Sequence, residues 1–305
     1  MDVVEAVEFT DPFCSYAWGT EPKYRRLAWQ YSERVRVRRV FCGILSDGWY
    51  HQFVLDGDLA AFRGAQQAYL AAVSELTGMP HPAPVHHVLE GSDEVCRLAK
   101  AAERQGPDVA GRVLRRLRES LLVHGRPADT LARGLEACAG VPGLDATALA
   151  ADFADPETAA AYRADWEEAR RPSEFVLNLP DKRAGRGAAQ PQDGRMRYGL
   201  PCLVLTGSAG IATIAGWRDW SDWEVALDAV APGILATARP LPAPPEAFAA
   251  WPSLAPAEFD FLCPGHDVPP DGVVEHRWPG GTFWLTREES SRGLFAAAEP
   301  GAAPV

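Results

Sequence analysis

Cys14 is the residue whose setting points most directly to chemistry. It lies in Asp11-Pro12-Phe13-Cys14-Ser15-Tyr16-Ala17-Trp18, after an apolar run at 3–9 (VVEAVEF) that reads as a strand and before a segment of helical character at about 15–32. A thiol where a strand ends and a helix begins meets free backbone N–H groups and the positive end of the helix dipole. Both favour a thiolate, so the position is expected to lower the thiol pKa and make Cys14 a nucleophile. The bland alternative is a thiol that packs at the strand end. Asp11 could bias that titration or relay a proton, or it could simply accept local backbone hydrogen bonds in the turn. Tyr16 and Trp18 could line a groove, and Trp18 could equally belong to the core. Pro22 implies either a kink in the helix or a helix end at Glu21-Pro22.

The other cysteines are Cys42, Cys96, Cys138, Cys202 and Cys263, and no two of the six stand at C-x-x-C spacing. Neither a zinc ribbon nor a dithiol motif is written here, and scattered cysteines in a reducing compartment are mostly small buried apolar residues. His86-His87 invites a metal reading, but no Asp, Glu or Cys stands at ligand spacing in that segment, so a loop is the better explanation and no metal site is expected.

The elements that must position Cys14 follow in order. A second strand is expected at 35–42 (VRVRRVFC), then Ala-rich amphipathic helices from 56 to about 176. The clearest runs from 107 to 124. Val109, Val113, Leu114, Leu117, Leu121 and Leu122 keep helical spacing, with Pro107 suited to the first turn and Gly125 to the stop. Arg112, Arg115, Arg116 and Arg118 lie largely off that stripe. They could meet the carboxylates of a glutathione-like or mycothiol-like cosubstrate, although such a stripe is usually a solvated face. Residues 179–199 read as a long polar loop, 202–205 and 211–215 as a hairpin, and 221–230 as a last helix. Trp217, Trp220 and Trp223 beside that helix read as packing, with contact to the tail as an option. A Pro- and Ala-rich stretch at 232–256 has linker composition, and 273–278 with 282–286 flank Pro279-Gly280-Gly281 as a small hairpin.

The chain has 305 residues, 47% hydrophobic and 23% charged, which suits one large domain with an elaboration, or two domains. A net charge of −11 disfavours a nucleic-acid partner. No run of ~18 apolar residues could span a bilayer, and the N-terminal stretch reads directly as a strand rather than as a signal peptide, so a cytoplasmic location is expected. Oligomeric state is left open.

The motif, the order of elements and Gly199-Leu200-Pro201 together resemble the DsbA-like thioredoxin-fold family, in its cytoplasmic FrnE-type branch. Asp11-Pro12, Cys14, Trp18, the helical insertion and the Gly-x-Pro strand all match that branch, and the likeness covers about residues 3–231. It implies an α/β thioredoxin-like fold, formed by 1–55 and 179–231. A large helical insertion at 56–178, a linker at 232–256 and a short C-terminal extension at 257–305 complete the chain. It also implies a cis Pro201 facing Cys14 across a groove lined by Asp11, Phe13, Ser15, Tyr16, Trp18 and Leu200.

Ala17, however, stands where the family carries its second cysteine, so the ordinary dithiol cycle is closed to this chain. The resemblance then implies a one-thiol oxidoreductase, or a thiol-dependent transferase or isomerase like the kappa-class glutathione transferases and hydroxychromene-carboxylate isomerases. Its substrate would be a protein disulfide or a small-molecule thiol. Glutathione or mycothiol would serve as cosubstrate rather than as a tightly bound cofactor, and Cys202 is the candidate second thiol. The alternative is a degenerate binding protein, like the adaptors that deliver a transcription factor to the ClpXP protease.

Overall fold

In the computed structural model, which describes residues 3–46, 58–85 and 88–296, β1 (Val4–Thr10) is the strand that precedes Cys14. It runs parallel to β2 (Val35–Phe41), pairing Val4 with Val35 and Thr10 with Phe41. Its other edge is antiparallel to β5 (Cys202–Gly207), where Phe9 faces Cys202, and β6 (Gly210–Ala215) closes the sheet in the order β2-β1-β5-β6. Strand alternation sends Val4, Ala6, Leu203 and Leu205 to one face, where they meet Leu27, Trp223 and Leu227. Phe9, Val40 and Cys202 pack in a second cluster, which also holds Cys14. Between β4 and β3, short strands at Arg195–Arg197 and Gln190–Gln192, the 179–199 loop makes one small ladder.

The expected helix at 15–32 is two helices. α1 (Ser15–Trp18) ends at Gly19, and α2 (Glu21–Gln30) starts with Pro22 in its first turn. Pro22 neither kinks a helix nor closes one. It opens a new helix, because the first turn asks nothing of the N–H that proline lacks.

The insertion carries α3 (Leu59–Thr77), α4 (Asp93–Ala102), α5 (Pro107–Leu122), α6 (Leu131–Ala137), α7 (Ala146–Ala154), α8 (Pro156–Ala169) and α9 (Glu174–Asn178). α5 buries the apolar stripe expected for it. Three of its arginines do not face solvent: Arg115, Arg116 and Arg118 are buried, while Arg112 is half-buried and donates to Pro142 O at 3.0 Å. Arg118 reaches Glu21 and Glu8 and donates to Thr10 Oγ1 at 2.6 Å. Arg115 forms a fork with Glu258 at 2.8 and 2.9 Å, and Arg116 pairs with Glu289. Carboxylates from β1, α2 and the C-terminal residues turn a charged face into an interior one. Arginine is suited to that role because its guanidinium is weakly hydrated and forked.

After α10 (Trp220–Val230) the chain stays on the body. α11 (Pro244–Ala250) and α12 (Pro256–Leu262) bury Phe248 and Phe259, and the three strands at Ser253–Leu254, Gly281–Thr286 and Val273–Trp278 form a sheet with the long strand of 281–286 at its centre. Trp220 stacks on Trp223 at 5.8 Å and meets Phe261 edge-on at 6.0 Å, so the tryptophan stripe packs and also touches the extension. Among the described residues no helix is long and apolar enough to cross a membrane.

Candidate thiol site

Cys14 caps α1. Its backbone is extended, and its sulfur accepts the Ala17 N–H at 3.4 Å, a first-turn donor that would otherwise lack a partner. Asp11 builds the turn in front of it. One oxygen accepts the Phe13 N–H at 2.8 Å, and the other accepts the Ile44 N–H and Ser92 Oγ at 2.9 Å each and Cys96 Sγ at 3.3 Å. Asp11 is fully buried, and burial raises its pKa against the pull of those four donors. It ties β1, the 42–46 turn and the start of α4 to one point, and that inward role is what its geometry allows.

The remaining residues named from sequence gather around this turn. Ser15 Oγ donates to the Tyr69 hydroxyl at 3.2 Å, and the Tyr16 and Tyr69 rings meet edge-on at 6.2 Å. Gly185, at φ +74°, lies so close over Tyr16 that a Cβ there would fall 2.3 Å from the ring. Leu200 and Cys202 share one buried cluster with Cys14, Ala17, Phe9 and Tyr198. The Leu200–Pro201 peptide is cis. Phe13 and Trp18 are buried. Trp18 donates from Nε1 to Pro80 O at 2.8 Å, lies under the Arg115 guanidinium at 4.3 Å and stacks on Phe283 at 6.1 Å.

The thiol titrates opposite to the expectation. Cys14 is only 7% exposed, and burial pushes its pKa up to about 11. The Ala17 N–H and the more distant Arg118 pull it down and Asp11 pushes it further up. One weak N–H···S contact does not offset the loss of water around a charged sulfur. Cys202 is fully buried in the sheet, and burial likewise pushes its thiol up. Beneath the motif, burial pushes the Glu21 carboxyl up, but Arg118, Arg115 and Arg25 outweigh it and hold the group at about 2.

Sequence reasoning missed Tyr69 and Ser92, and it named Cys96 and Arg118 without tying either to this turn. Tyr69 stands 54 residues from its partner Ser15 and Ser92 stands 81 from Asp11, so no local spacing marks them. Among the described residues no three His, Cys, Asp or Glu side chains gather to hold a metal ion, and His86 and His87 lie outside those residues.

With strand, capping thiol and proline strand in place, the match to known proteins decides the family. Residues 8–171 match the family model described as Thioredoxin. The chain belongs to the thioredoxin family. The ClpXP adapter protein SpxH of Shouchella clausii is 31% identical over 162 residues, 53% of this chain and 52% of that protein. Its counterpart in Halalkalibacterium halodurans is 30% identical over 171 residues, 54% and 53%. The chain thus spans about half the length of the curated relatives it matches.

Among solved structures, a candidate protein disulfide isomerase from Nitrosomonas europaea superposes with a TM-score of 0.56 at 16% identity, covering 74% of this chain and 96% of that one. A candidate DsbA oxidoreductase from Streptomyces coelicolor does so with a TM-score of 0.50 at 17% identity, covering 92% and 98%. The architecture is a DsbA-like thioredoxin fold with a helical insertion.

Proposed function

We propose that the chain is a monothiol oxidoreductase of the DsbA-like type, with Cys14 as its nucleophile and Pro201 beside it. The observation that carries this reading is the retained seat of the thiol: Cys14 at the cap of α1, with its sulfur on the Ala17 N–H, while a methyl group replaces the second thiol. In the reaction, the Cys14 thiolate attacks one sulfur of a disulfide RS–SR. A Cys14–S–SR bond forms, the S–S bond breaks, and RS⁻ leaves and takes a proton from water. A second small thiolate R′S⁻ then attacks the outer sulfur of the mixed disulfide: an RS–SR′ bond forms, the Cys14 Sγ–S bond breaks, and the Cys14 thiolate takes up a proton. Glutathione and mycothiol are the cosubstrates proposed, in the cytoplasm. Phe13, Ser15, Tyr16 and Leu200 form the wall around the sulfur. Asp11 and Trp18 act by holding the turn, and Cys202 is the internal alternative to an external resolving thiol.

The raised pKa sets the pH profile. With a value of about 11, only about one Cys14 in ten thousand is thiolate at pH 7. Iodoacetamide labelling of Cys14 in the native protein is therefore expected to accelerate about tenfold per pH unit between pH 7 and 10. A rate already at its plateau by pH 7.5 contradicts the buried, protonated thiol. Oxidation with glutathione disulfide at pH 8.5 should place a single glutathione on Cys14, read by intact-mass spectrometry, and Cys14→Ser should abolish it.

A second reading is favoured by the burial of Cys14 and by the curated relatives, which are adapter proteins: a thioredoxin-fold binding protein with no thiol cycle. A Cys14 that takes no glutathione at any pH, together with full cellular function of Cys14→Ser, selects that reading and removes the first.

A further inference from the structure

The insertion holds a cavity of about 540 Å³ that the thiol chemistry does not use. Its floor is α8, where Tyr162, Arg163 and Trp166 share one face at helical spacing. Phe153 of α7 and Asp93, Glu94 and Arg97 of α4 form the opposing wall, and Asp193 lies at one end. The volume is within the range of small-molecule sites, and Phe153, Tyr162 and Trp166 supply aromatic surface, Trp166 also carrying the Arg170 guanidinium over its ring at 3.4 Å.

Formal charge alone does not choose the ligand, since three carboxylates face two guanidiniums. Partnering does. Asp93 accepts the Tyr162 hydroxyl, Glu94 accepts the Leu131 N–H at 2.7 Å, and Asp193 accepts Ser46 Oγ at 2.9 Å. Arg97 is stacked over Phe153 at 4.5 Å, and its Nε is buried without a hydrogen-bond partner. Among the described residues neither Arg97 nor Arg163 forms an ion pair with a carboxylate. A buried guanidinium N–H without an acceptor is costly, and a ligand oxygen relieves that cost. A cavity of about 300 Å³ between α2, α5 and the C-terminal residues differs in that its guanidiniums are ion-paired. Its arginines Arg25, Arg115 and Arg116 are each paired with a carboxylate, Glu258, Glu119 and Glu289, and only Arg116 leaves one terminal nitrogen, Nη1, buried without an acceptor.

We infer that the cavity between α4, α7 and α8 binds a small organic anion with a flat apolar body. The ring lies against Trp166, Tyr162 and Phe153, and the carboxylate or comparable anionic group meets Arg97 and Arg163. This site is independent of Cys14 and stands whether or not the thiol reacts.

Isothermal titration of the full chain with naphthalene-2-carboxylate, neutral 2-naphthamide and 2-naphthylmethylammonium tests it. The expected result is one saturable site for the carboxylate, at least about tenfold tighter than for the amide or the ammonium, as one charge-assisted hydrogen bond requires. Arg97→Met should remove that advantage, and Arg163→Gln, at an exposed position, should weaken it if Arg97→Met fails to fold. Equal affinity for the amide, preference for the ammonium, no saturable binding, or unchanged affinity in both variants overturns the inference. Cys14→Ser should bind the carboxylate as the parent does.

Discussion

Replacing Arg118 by methionine is expected to lower the free energy of unfolding by about 3–5 kcal/mol, the usual cost of removing one partner from a buried ion pair. The residue is 1% exposed and its side chain holds Glu21, Glu8 and Thr10 together beneath the thiol motif. Methionine keeps much of the volume and removes the charge, so packing contributes little to the loss. Glu8 retains Arg39 at 3.2 Å, but Glu21 loses its nearest cation. The sign of the pH effect follows from the depressed carboxyl. Glu21 titrates at about 2 in the folded protein against an ordinary 4.5. Its stabilisation is present above pH 4.5 and is lost as the pH falls through 2. In Arg118→Met the carboxyl shifts upward, so acid unfolding should begin at a higher pH. Urea melts at pH 7 and 3 measure both effects. A loss under about 1 kcal/mol would show that Glu21 and Glu8 find water or other donors. Arg118→Met with Glu21→Gln should recover part of the loss, because the stranded charge is gone.

Phe283→Ala should cost a similar amount, about 3–5 kcal/mol, because it deletes a fully buried ring and leaves a cavity. Phe283 has no exposed surface and meets Trp18, Trp278 and Phe295 at centroid distances of 6.1–6.4 Å. This ring joins the C-terminal sheet to the helix that Cys14 caps. Its loss is therefore expected to do more than lower the melting temperature: loosening Trp18 should expose Cys14 and speed its alkylation at pH 8. A matched control is Phe248→Ala, which packs against Phe259 in the extension's own cluster. That variant should destabilise without changing Cys14 labelling. Equal labelling in the two variants would mean that the extension braces the body but does not reach the thiol.

Much of the scaffold was legible before any coordinates. Strand period marked β1 and β2, Gly-containing turns marked the 202–215 hairpin and the one at 273–286, and helical spacing with Pro107 marked α5. These are local signals, set by which side chains alternate and which backbone positions tolerate Pro or Gly. The helix break at Thr20 was less legible, because a proline eight residues beyond Cys14 is compatible with a kink, an end or a start. The arginines of α5 misled for a different reason. A charged side chain reads as solvated unless its partner is visible, and Glu258 and Glu289 come from 143 and 173 residues further along. The cavity between α4, α7 and α8 was invisible for the same reason, since Arg97 carries no mark of lacking a partner.

What the sequence determined by itself is the position of the candidate thiol. One cysteine stands at a strand-to-helix junction with alanine three residues on, so no disulfide can close within the motif. Chain order and residue type decide that. Tertiary structure alone decided the state of the thiol. Helix-end electrostatics favour the thiolate, but the cluster around Phe9, Leu200 and Cys202 removes its water, and desolvation outweighs a single N–H contact. Desolvation depends on what lies within a few ångströms in every direction, and that is assembled from residues scattered along the whole chain.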